Sequence, residues 1–564
     1  MLSAKRKTRI QNCVFIVVSL CCALFLFWKC RYGFADWDES FYLTIPLRLL
    51  RGDCLILDEW NITQMSSLLL LPFVRIYRLL HNGTEGILLS FRYLYTSVQL
   101  LASAFVYFSL KKYHKTGAFL AALLFALYAP FGIMALSYNS LGILCLTVAL
   151  LLLLNANGRF VRGFLAGLFI AAAVLCFPYL AAVYVLYSVF AVVYVLVRHE
   201  RKSVIFSDWI HTLIGVAIPA IAVFILLLKS SSPGELFAVI SDIVHDPEHP
   251  AQSAPQLIDT YVRHILFSSD HSKYLFAGYF VCLIGLLFKK KLKKWAPYFL
   301  ILSLILTGLY MVSIFVTNRF LNHLILPLSV EAFFLFLYSD DPAVRSLFLR
   351  IWIPGMLFSF CVHCSSNQEF TAISSASAVA LPASVLMLSL TADTFRKKQG
   401  IPSRAVPVFI LCLFGLQLGF ESYSRYESVF WETSMSDMTV NIPAGAEKGL
   451  ITSPKKADIY AVSRQDAAEI LKNRECRSIL CLSESVWMYL DMPDLELRSY
   501  SAWLYGLTEF TIPNLQKYYA MERHSLPDAV YTEKENAGFA DAFRSIYGYS
   551  ETKLNSGNIL LIKP

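Results

Sequence analysis

Charged residues are scarce in this chain. Asp, Glu, Lys and Arg make up only 16% of the 564 residues, whereas 57% are hydrophobic and the mean hydropathy is +0.55. This composition excludes an ordinary soluble protein and indicates a protein of the lipid bilayer. In such a protein an acidic side chain is costly unless it faces water, a cation or a substrate.

Several other signatures are missing. We find no Gly-rich loop suited to a nucleotide phosphate and no nucleic-acid motif, and the net charge of +9 lies mostly in short Lys/Arg clusters. The thirteen cysteines lie mainly in apolar runs, where Cys behaves as a small apolar residue. Cys361 and Cys364 lack a second pair of ligands, so we expect neither metal nor cofactor. Cys476 and Cys481 are compatible with a disulfide or with a buried position.

Apolar runs long enough to cross about 30 Å of hydrocarbon recur along most of the chain. They predict about thirteen membrane spans, at residues 14–28, 88–110, 117–136, 141–154, 161–176, 180–197, 210–228, 274–288, 296–316, 321–338, 347–362, 372–391 and 405–420. Lys5, Arg6, Lys7 and Arg9 precede the first span, so the N-terminus is expected in the cytoplasm. With this span list every later basic cluster falls on the cytoplasmic side as well.

The preference of Lys and Arg for the cytoplasmic side also decides how we interpret the apolar residues 65–80. A full crossing there would invert every later loop, so we predict a helix lying in the membrane surface, with Arg75 and Arg78 at the headgroups. Residues 1–425 then form a multi-pass module of the plasma membrane, with outer loops at 30–87 and 229–273. Residues 426–564 alternate short apolar runs, at 449–452, 478–482 and 558–562, with helical stretches and predict an extracytoplasmic α/β domain.

The first outer loop carries two acidic groups, Asp38-Glu39 and Asp58-Glu59. Asp36 and Glu39 have the spacing of a capping box, and an amphipathic helix is expected on the membrane surface from about Glu39 to Arg51, with Arg48 and Arg51 at the headgroups. Capping explains neither Asp38 nor the second acidic group. We therefore place a candidate site in this loop, with capping and headgroup anchoring as the alternative.

The loop also resembles a known family. Asp38-Glu39-x-x-Tyr42, Leu49-Leu-Arg51-Gly-Asp53 and Asp58-x-Trp60, followed by an apolar in-plane stretch, resemble the opening motif of the C-type (GT-C) membrane glycosyltransferases. Protein O-mannosyltransferases and lipid A aminoarabinose transferases belong to that family. The remaining spans and the outer C-terminal domain resemble it in architecture.

The resemblance implies a chemistry for the loop. Asp38 would be the general base toward the acceptor hydroxyl, with Glu39 as its neighbour and a sugar on polyprenyl phosphate as donor. Partial desolvation at the hydrocarbon boundary suits a carboxylate to that task. By the same resemblance, Tyr42, Asp58, Glu59 and Trp60 would contact substrate.

The chain departs from its relatives in places. It has Phe41 where the aminoarabinose branch usually has a basic residue before the tyrosine. Tyr138 and Asn139 occupy an outer turn where relatives often carry an acid or arginine, and they are candidate substrate contacts. Cys176-Phe-Pro178-Tyr179 replaces a Lys-x-Pro element. The substrate is left open by these departures.

Further candidates lie in the other outer loops. Residues 229–273 contain several acids and histidines, among them His245 and His249, and are interpreted as a loop that closes over substrate, a plain solvated loop or a metal site. Arg263 or Arg319 is predicted to bind the donor phosphate, because the arginine fork suits phosphate oxygens. His323, Asn367 and Gln368 are candidate substrate contacts. Trp503 is suited to stacking on a sugar, although aromatic side chains usually pack in the core.

The leading hypothesis is an inverting glycosyltransferase acting at the outer membrane face on a lipid, glycan or protein acceptor, in contact with membrane lipids. A transporter is the first alternative; it would need ionisable residues at mid-membrane depth, of which Glu331 is one. An inactive relative that assists envelope assembly is the second.

Overall fold

The structure is a computed structural model of the 564-residue chain. It describes residues 4–198, 204–244, 253–267, 272–287, 295–317, 325–339, 341–366, 369–397, 400–429, 432–504 and 507–564. Apolar helices fill residues up to 427, and a mixed sheet with short helices follows.

Nineteen helices lie in the first part of the chain as described. They are α1 (Ala4–Lys29), α2 (Asp36–Leu50), α3 (Ser67–His81), α4 (Ile87–Leu110), α5 (Lys115–Leu127), α6 (Tyr138–Leu154), α7 (Phe160–Cys176), α8 (Leu180–Arg198), α9 (Val204–Ser230), α10 (Pro233–Val244), α11 (Ala254–Phe267), α12 (Ser272–Leu287), α13 (Ala296–Thr317), α14 (Leu326–Tyr338), α15 (Pro342–Leu347), α16 (Ile353–Cys364), α17 (Glu369–Ala376), α18 (Leu381–Arg396) and α19 (Ile401–Glu427).

Lipid-facing surfaces are evident on the longer helices. Leu186 on α8 and Phe224 on α9 are 66% and 60% exposed, which suits a hydrocarbon solvent and not water. Inside the bundle, α7 and α9 approach closely at Gly167 and Gly215, where a Cβ on Gly167 would lie 2.2 Å from the Thr212 carbonyl oxygen. Small residues at such crossings let helices pack backbone to backbone in a membrane.

The number of spans differs from the prediction. Among the described residues, seven helices are long and apolar enough to cross a membrane, or eight if the bent pair Phe370–Val379 and Leu381–Arg396 forms one span. The count of about thirteen is not confirmed. Several predicted spans are short helices; α6 and α7 have 17 residues each, about 25 Å of helix. Hydropathy alone does not distinguish such buried apolar helices from lipid-facing spans.

The predicted α/β character of the C-terminal part is confirmed. A five-stranded sheet has the order β4 (Glu496–Leu497), β3 (Ser478–Leu482), β5 (Ala529–Thr532), β7 (Ile559–Ile562), β6 (Ser550–Lys553). β3 is parallel to β4 and β5, whereas β7 is antiparallel to β5 and β6. A two-stranded sheet precedes it, and short helices cover it: β1 (Val440–Asn441), β2 (Ile451–Thr452), α20 (Pro454–Ile470), α21 (Met488–Asp491), α22 (Thr511–Ala520) and α23 (Ala537–Tyr547).

The C-terminal part sits on the outer loop around α2. Ile451 donates a backbone hydrogen bond to the Arg31 carbonyl (2.6 Å), and Gly33 donates one back to the Ile451 carbonyl (2.8 Å). Gly33 has φ +72, and a Cβ there would lie 2.6 Å from the Val429 side chain, so only glycine fits. Phe34, fully buried, packs its ring 5.1 Å from that of Tyr460. These contacts hold the start of α2 against the C-terminal sheet domain.

Candidate active site

A cavity of about 550 Å³ lies between the helices and the C-terminal part. Its apolar side, the helical wall, is formed by Ile143, Cys176, Phe177, Phe358 and Val362. Another part of its lining, the C-terminal wall, is formed by Tyr500, Ser501, Trp503, Thr508, Phe510 and Asn514. Trp37, Asp38, Phe41 and Tyr42 of α2 also line the cavity. One cavity therefore offers an apolar wall and a polar, aromatic wall.

Asp38 is the acid that α2 presents to this cavity. Its side chain is 8% exposed and accepts a hydrogen bond of 3.3 Å from the hydroxyl of Tyr42, one helical turn further on. Burial first, and then the charge of Asp38, hold the pKa of Tyr42 well above its ordinary value. Tyr42 is therefore a hydrogen-bond donor to Asp38 throughout the physiological pH range. The Tyr42 ring in turn meets that of Tyr138 edge to face at 6.1 Å.

Glu39, the neighbour of Asp38, points away from the cavity. It is fully buried and accepts a bidentate pair of hydrogen bonds from Arg92, at 2.9 Å from Nε and 2.8 Å from Nη2. Arg92, on α4, also donates to the carbonyls of Cys30 (3.0 Å) and Tyr32 (3.1 Å). Glu39 is not among the described residues lining the cavity, so the geometry favours a positioning role for it. The predicted capping box does not form, because Ala35 is the residue that precedes the helix.

The second acidic group joins the loop to the C-terminal part. Glu59 binds Arg48 at 2.9 Å and accepts hydrogen bonds from the Ser501 hydroxyl (2.6 Å) and the Ala502 amide (2.8 Å). Arg48 also binds Asp53 at 2.6 Å and donates to the Ser499 carbonyl at 2.9 Å. The expectation that Arg48 meets lipid headgroups is therefore wrong, since its side chain is only 3% exposed and its partners lie in the protein. Arg78, also expected at the headgroups, binds Asp494 of the C-terminal part at 2.9 Å.

Asp58 faces the C-terminal part too. Its carboxylate lies 3.4 Å from Nδ1 of His524 and 3.6 Å from Arg523. Burial, and then the charges of Arg523, Arg48 and Arg498, lower the pKa of His524 to about 4, so this imidazole is neutral at pH 7. Asp58 and Glu59 are not among the residues that line the cavity, whereas the adjacent Trp60 and Asn61 are.

The remaining predicted site residues fall into three groups: residues that line the cavity, one residue on α11, and residues outside the described part of the chain. Tyr138 and Asn139, at the start of α6, line the cavity. Arg263 lies on α11, is 70% exposed and pairs with Asp259 at 2.7 Å, away from the cavity lining. Outside the described residues lie Arg319, His323, Asn367 and Gln368. Among the described residues that line the cavity there is no Lys, Arg or His.

The predicted loop at 229–273 contains structure. Its described residues form α10 and α11, while His245 and His249 lie outside the described part. Val239 of α10 packs against Leu57 and Trp60 of the first loop and against Tyr518 of the C-terminal part. Asp242 lines the cavity and accepts a hydrogen bond from Lys517. In the described ranges, the interpretation as a plain solvated loop is wrong, because α10 covers one side of the cavity.

Sequence reasoning missed two parts of this arrangement. Arg92 is the one arginine within the apolar helix α4, and a charge inside an apolar run is a signal that was available. The C-terminal wall gave a weaker signal, the aromatic residues at 500–510, for which core packing is the default. Nothing in the sequence places that wall beside Asp38.

No metal or disulfide is indicated in the described part of the chain. No group of three or more His, Cys, Asp or Glu side chains is positioned to hold a metal ion among the residues searched. Cys476 and Cys481 are both free thiols and both buried, the second within β3. Of the two possibilities left open by the sequence, the buried position is the one adopted.

Comparisons with known proteins give distant similarities only. No protein-family model and no curated protein matches the chain. Among solved structures, the archaeal oligosaccharyltransferase AglB from Archaeoglobus fulgidus, in complex with an inhibitory peptide and a dolichol-phosphate, is 12% identical with a TM-score of 0.40, over 98% of this chain and 74% of that one.

ArnT from Cupriavidus metallidurans is similar to the same degree. Its apo structure is 12% identical over 98% of both chains with a TM-score of 0.40. Its structure bound to undecaprenyl phosphate is 13% identical, with a TM-score of 0.38, over 98% of this chain and 97% of that one. Both neighbours are C-type glycosyltransferases, the family that the sequence resembles. At these TM-scores the likeness carries no argument about the chemistry of this chain.

Proposed function

We propose that the protein is a membrane glycosyltransferase that moves a sugar from a polyprenyl-phosphate donor to an acceptor at the outer membrane face. The reaction proceeds with inversion, and Asp38 is the general base. The observation that carries the proposal is the position of Asp38, a mostly buried carboxylate at the junction of an apolar and a polar cavity wall.

The two walls suit the two halves of such a donor. A polyprenyl chain needs an apolar surface continuous with the bilayer, and the helical wall supplies Phe177, Phe358 and Val362. A sugar and its acceptor need aromatic faces and hydrogen-bonding groups, which α2 and the C-terminal wall supply. Asp38 lies where the two kinds of surface meet.

The chemical step requires one base and one leaving group. Asp38 takes the proton of the acceptor hydroxyl while that oxygen attacks the anomeric carbon. The bond from this carbon to the phosphate oxygen breaks, its electron pair leaves with the polyprenyl phosphate, and a single displacement inverts the anomeric centre. Tyr42 holds the Asp38 carboxylate in place through its hydrogen bond.

The leaving phosphate needs a cationic partner. We propose Arg263 or Arg319 for this role, as arginines of the predicted outer loops whose fork suits phosphate oxygens. Arg263 would have to exchange Asp259 for the phosphate. Replacing each by Ala should weaken donor use more than replacing it by Lys, because Lys keeps the charge and loses the fork. Unchanged donor kinetics in both alanine variants would exclude these two residues.

The proposal is tested by transfer of radiolabelled sugar from lipid-linked donor in membranes that contain the full chain. Asp38→Asn should reduce transfer by about 10²- to 10⁴-fold, since it removes the base and keeps the shape. Asp458→Asn is the control, an exposed aspartate of α20 outside the cavity lining, and should retain transfer. Full transfer by Asp38→Asn at normal expression would refute the assignment.

The alternative function, a transporter, was suggested by Glu331, and the contacts of Glu331 give it little support. Glu331, on α14, is fully buried and accepts hydrogen bonds from Ser303 (2.9 Å) and Thr307 (3.0 Å) of α13. It does not line the described cavity. These contacts fit a polar tie between two helices.

A further inference from the structure

The C-terminal wall carries aromatic side chains that are only partly buried, since Tyr500 and Trp503 pack at the edges of the hydrophobic cores. It lies between β4 and α22, and Phe510 is 44% exposed. Trp487, in contrast, is 5% exposed and packs with Tyr460 and Phe34. Large aromatic side chains at the rim of a cavity are available to a ligand in a way that Trp487 is not.

Trp503 faces across the boundary between the two parts of the chain. Its ring lies 6.4 Å from that of Trp37 with an angle of 29° between the planes, and 5.6 Å from the ring of Phe41. Both partners belong to α2, the helix that carries Asp38. The three aromatic residues therefore form a continuous surface that leads from the C-terminal part to the proposed base.

The wall is fixed in place by hydrogen bonds to the first outer loop. Glu59 accepts from the Ser501 hydroxyl and the Ala502 amide, and the Trp60 amide donates to the Tyr500 carbonyl at 2.7 Å. Arg48 donates to the Ser499 carbonyl. The backbone on either side of Tyr500 is thereby held before any substrate arrives, which lowers the entropic cost of binding.

Polar groups line the same cavity as the aromatic side chains. Asn61 and Asn514 contribute amides, Thr508 a hydroxyl and Asp242 a carboxylate to the same cavity. An amide both donates and accepts, and a carboxylate accepts from two hydroxyls. A pyranose ring has the matching chemistry, since one face presents C–H groups to an aromatic ring and its edge presents hydroxyls. A hydroxyl-bearing peptide side chain offers no such face.

We infer that the C-terminal wall, with Trp503 at its centre, is a saccharide-binding surface and that the acceptor is itself a carbohydrate. The inference rests on the proposed function, because the protein has an acceptor only if it transfers a sugar. In the proposed function the helical wall takes the lipid-linked donor, so the C-terminal wall is left for the second substrate. Trp503 and Asn514 then determine acceptor specificity.

The test measures binding of mannotriose, chitotriose and a Ser/Thr-containing tripeptide to the purified full chain by calorimetric titration. At least one trisaccharide should bind, and the peptide should not. Trp503→Ala should weaken trisaccharide binding about tenfold or more, and Trp503→Phe should recover part of it. Asn514→Ala should weaken it less.

Tyr547→Ala is the matched control, because Tyr547 is a partly buried aromatic residue of the same domain that packs on Phe543 and does not line the cavity. Its trisaccharide affinity should equal that of the wild type. Binding of the peptide in place of both sugars, or equal affinities in Trp503→Ala and wild type, would overturn the inference. Failure of the proposed function would be recognised independently of this test. It would appear as absent sugar transfer by the wild-type chain, in an assay that does not use these probes.

Discussion

The segment 30–87, predicted to be an outer loop, contains the dipeptide Asp-Glu twice, and the two copies make different contacts. In both, the glutamate is buried against an arginine: Glu39 against Arg92 and Glu59 against Arg48. The aspartates differ. Asp38 lines the cavity, whereas Asp58 faces His524 and Arg523 of the C-terminal part.

This difference separates a reactive position from a structural one. A carboxylate enclosed by cations and amides is fully satisfied and gains nothing from a substrate. A carboxylate that lines a cavity and accepts a hydrogen bond from Tyr42, one turn away, is accessible to an acceptor hydroxyl. Each buried glutamate fixes the backbone from which its neighbouring aspartate projects.

Breaking the first buried pair should have the largest effect on stability. Glu39→Ala leaves Arg92 charged and buried without its bidentate partner, which should lower the free energy of unfolding by about 3–5 kcal/mol. Thermal unfolding of the detergent-purified chain measures this. Replacing Glu39 and Arg92 together by Met should recover most of the loss. A Glu39→Ala variant as stable as wild type would contradict a positioning role for the pair.

Weakening the second buried pair, Glu59 with Arg48, should loosen the contact between the helical part and the C-terminal part of the molecule. Glu59→Gln keeps the shape and loses the charge that holds Arg48, Ser501 and Ala502, at a cost of about 1.5–3 kcal/mol. Limited proteolysis should then cleave near residues 499–502. Glu85→Gln is the control, because its pair with Lys448 joins the same two parts at the exposed surface and should contribute at most about 1 kcal/mol. Equal rates of cleavage in Glu59→Gln and Glu85→Gln would contradict the prediction that the buried pair contributes more than the exposed pair.

Removing the hydroxyl that orients Asp38 should reduce activity and leave stability nearly unchanged. Tyr42→Phe deletes one hydrogen bond to a charged group, so we expect kcat for sugar transfer to fall about tenfold. Tyr113→Phe, far from the cavity lining, serves as control. An unchanged kcat in Tyr42→Phe would show that Asp38 is oriented by other contacts.

Glu447 and Asp491 form a further pair, made of two acids, and this pair should make the stability of the protein depend on pH. Glu447 is fully buried, and burial together with Asp491 raises its pKa well above the ordinary value. Burial raises the pKa of Asp491 to about 6, opposed by the Ala446 amide and by Arg464. The folded state therefore retains protons that the unfolded state releases near pH 4, and stability should fall as the pH rises through about 6.

Glu447→Gln removes the ionisable group of this pair and should flatten that dependence, with the smallest effect of the series. We expect a higher Tm than wild type at pH 8 and a nearly equal Tm at pH 4.5, because the wild-type side chain is protonated there. Glu475→Gln, at an exposed acid of the same domain, should match wild type at both pH values. A lower Tm at pH 8 in Glu447→Gln would contradict the assignment.

Several elements could be predicted from the sequence for clear physical reasons. The alternation of short apolar runs with polar residues after 426 indicated the C-terminal sheet, and strands β2, β3 and β7 lie in the runs named for it. The helix at Asp36–Leu50 followed from its apolar spacing. The number of spans did not follow, because a buried helix in a membrane protein is as apolar as a lipid-facing one. The roles of the candidate site residues remain predictions.

The sequence by itself determined that this is a helical membrane protein with a C-terminal α/β part, and that acidic residues concentrate in the segment after the first apolar run. Composition and periodicity report burial and lipid contact, and those are local properties. Only the tertiary structure decided which of four neighbouring acids lines a cavity, because the other three bind partners that include Arg92 and the 499–524 region, which lie far from these acids in the chain. The cavity has the same origin, since one of its walls begins more than 460 residues after Asp38.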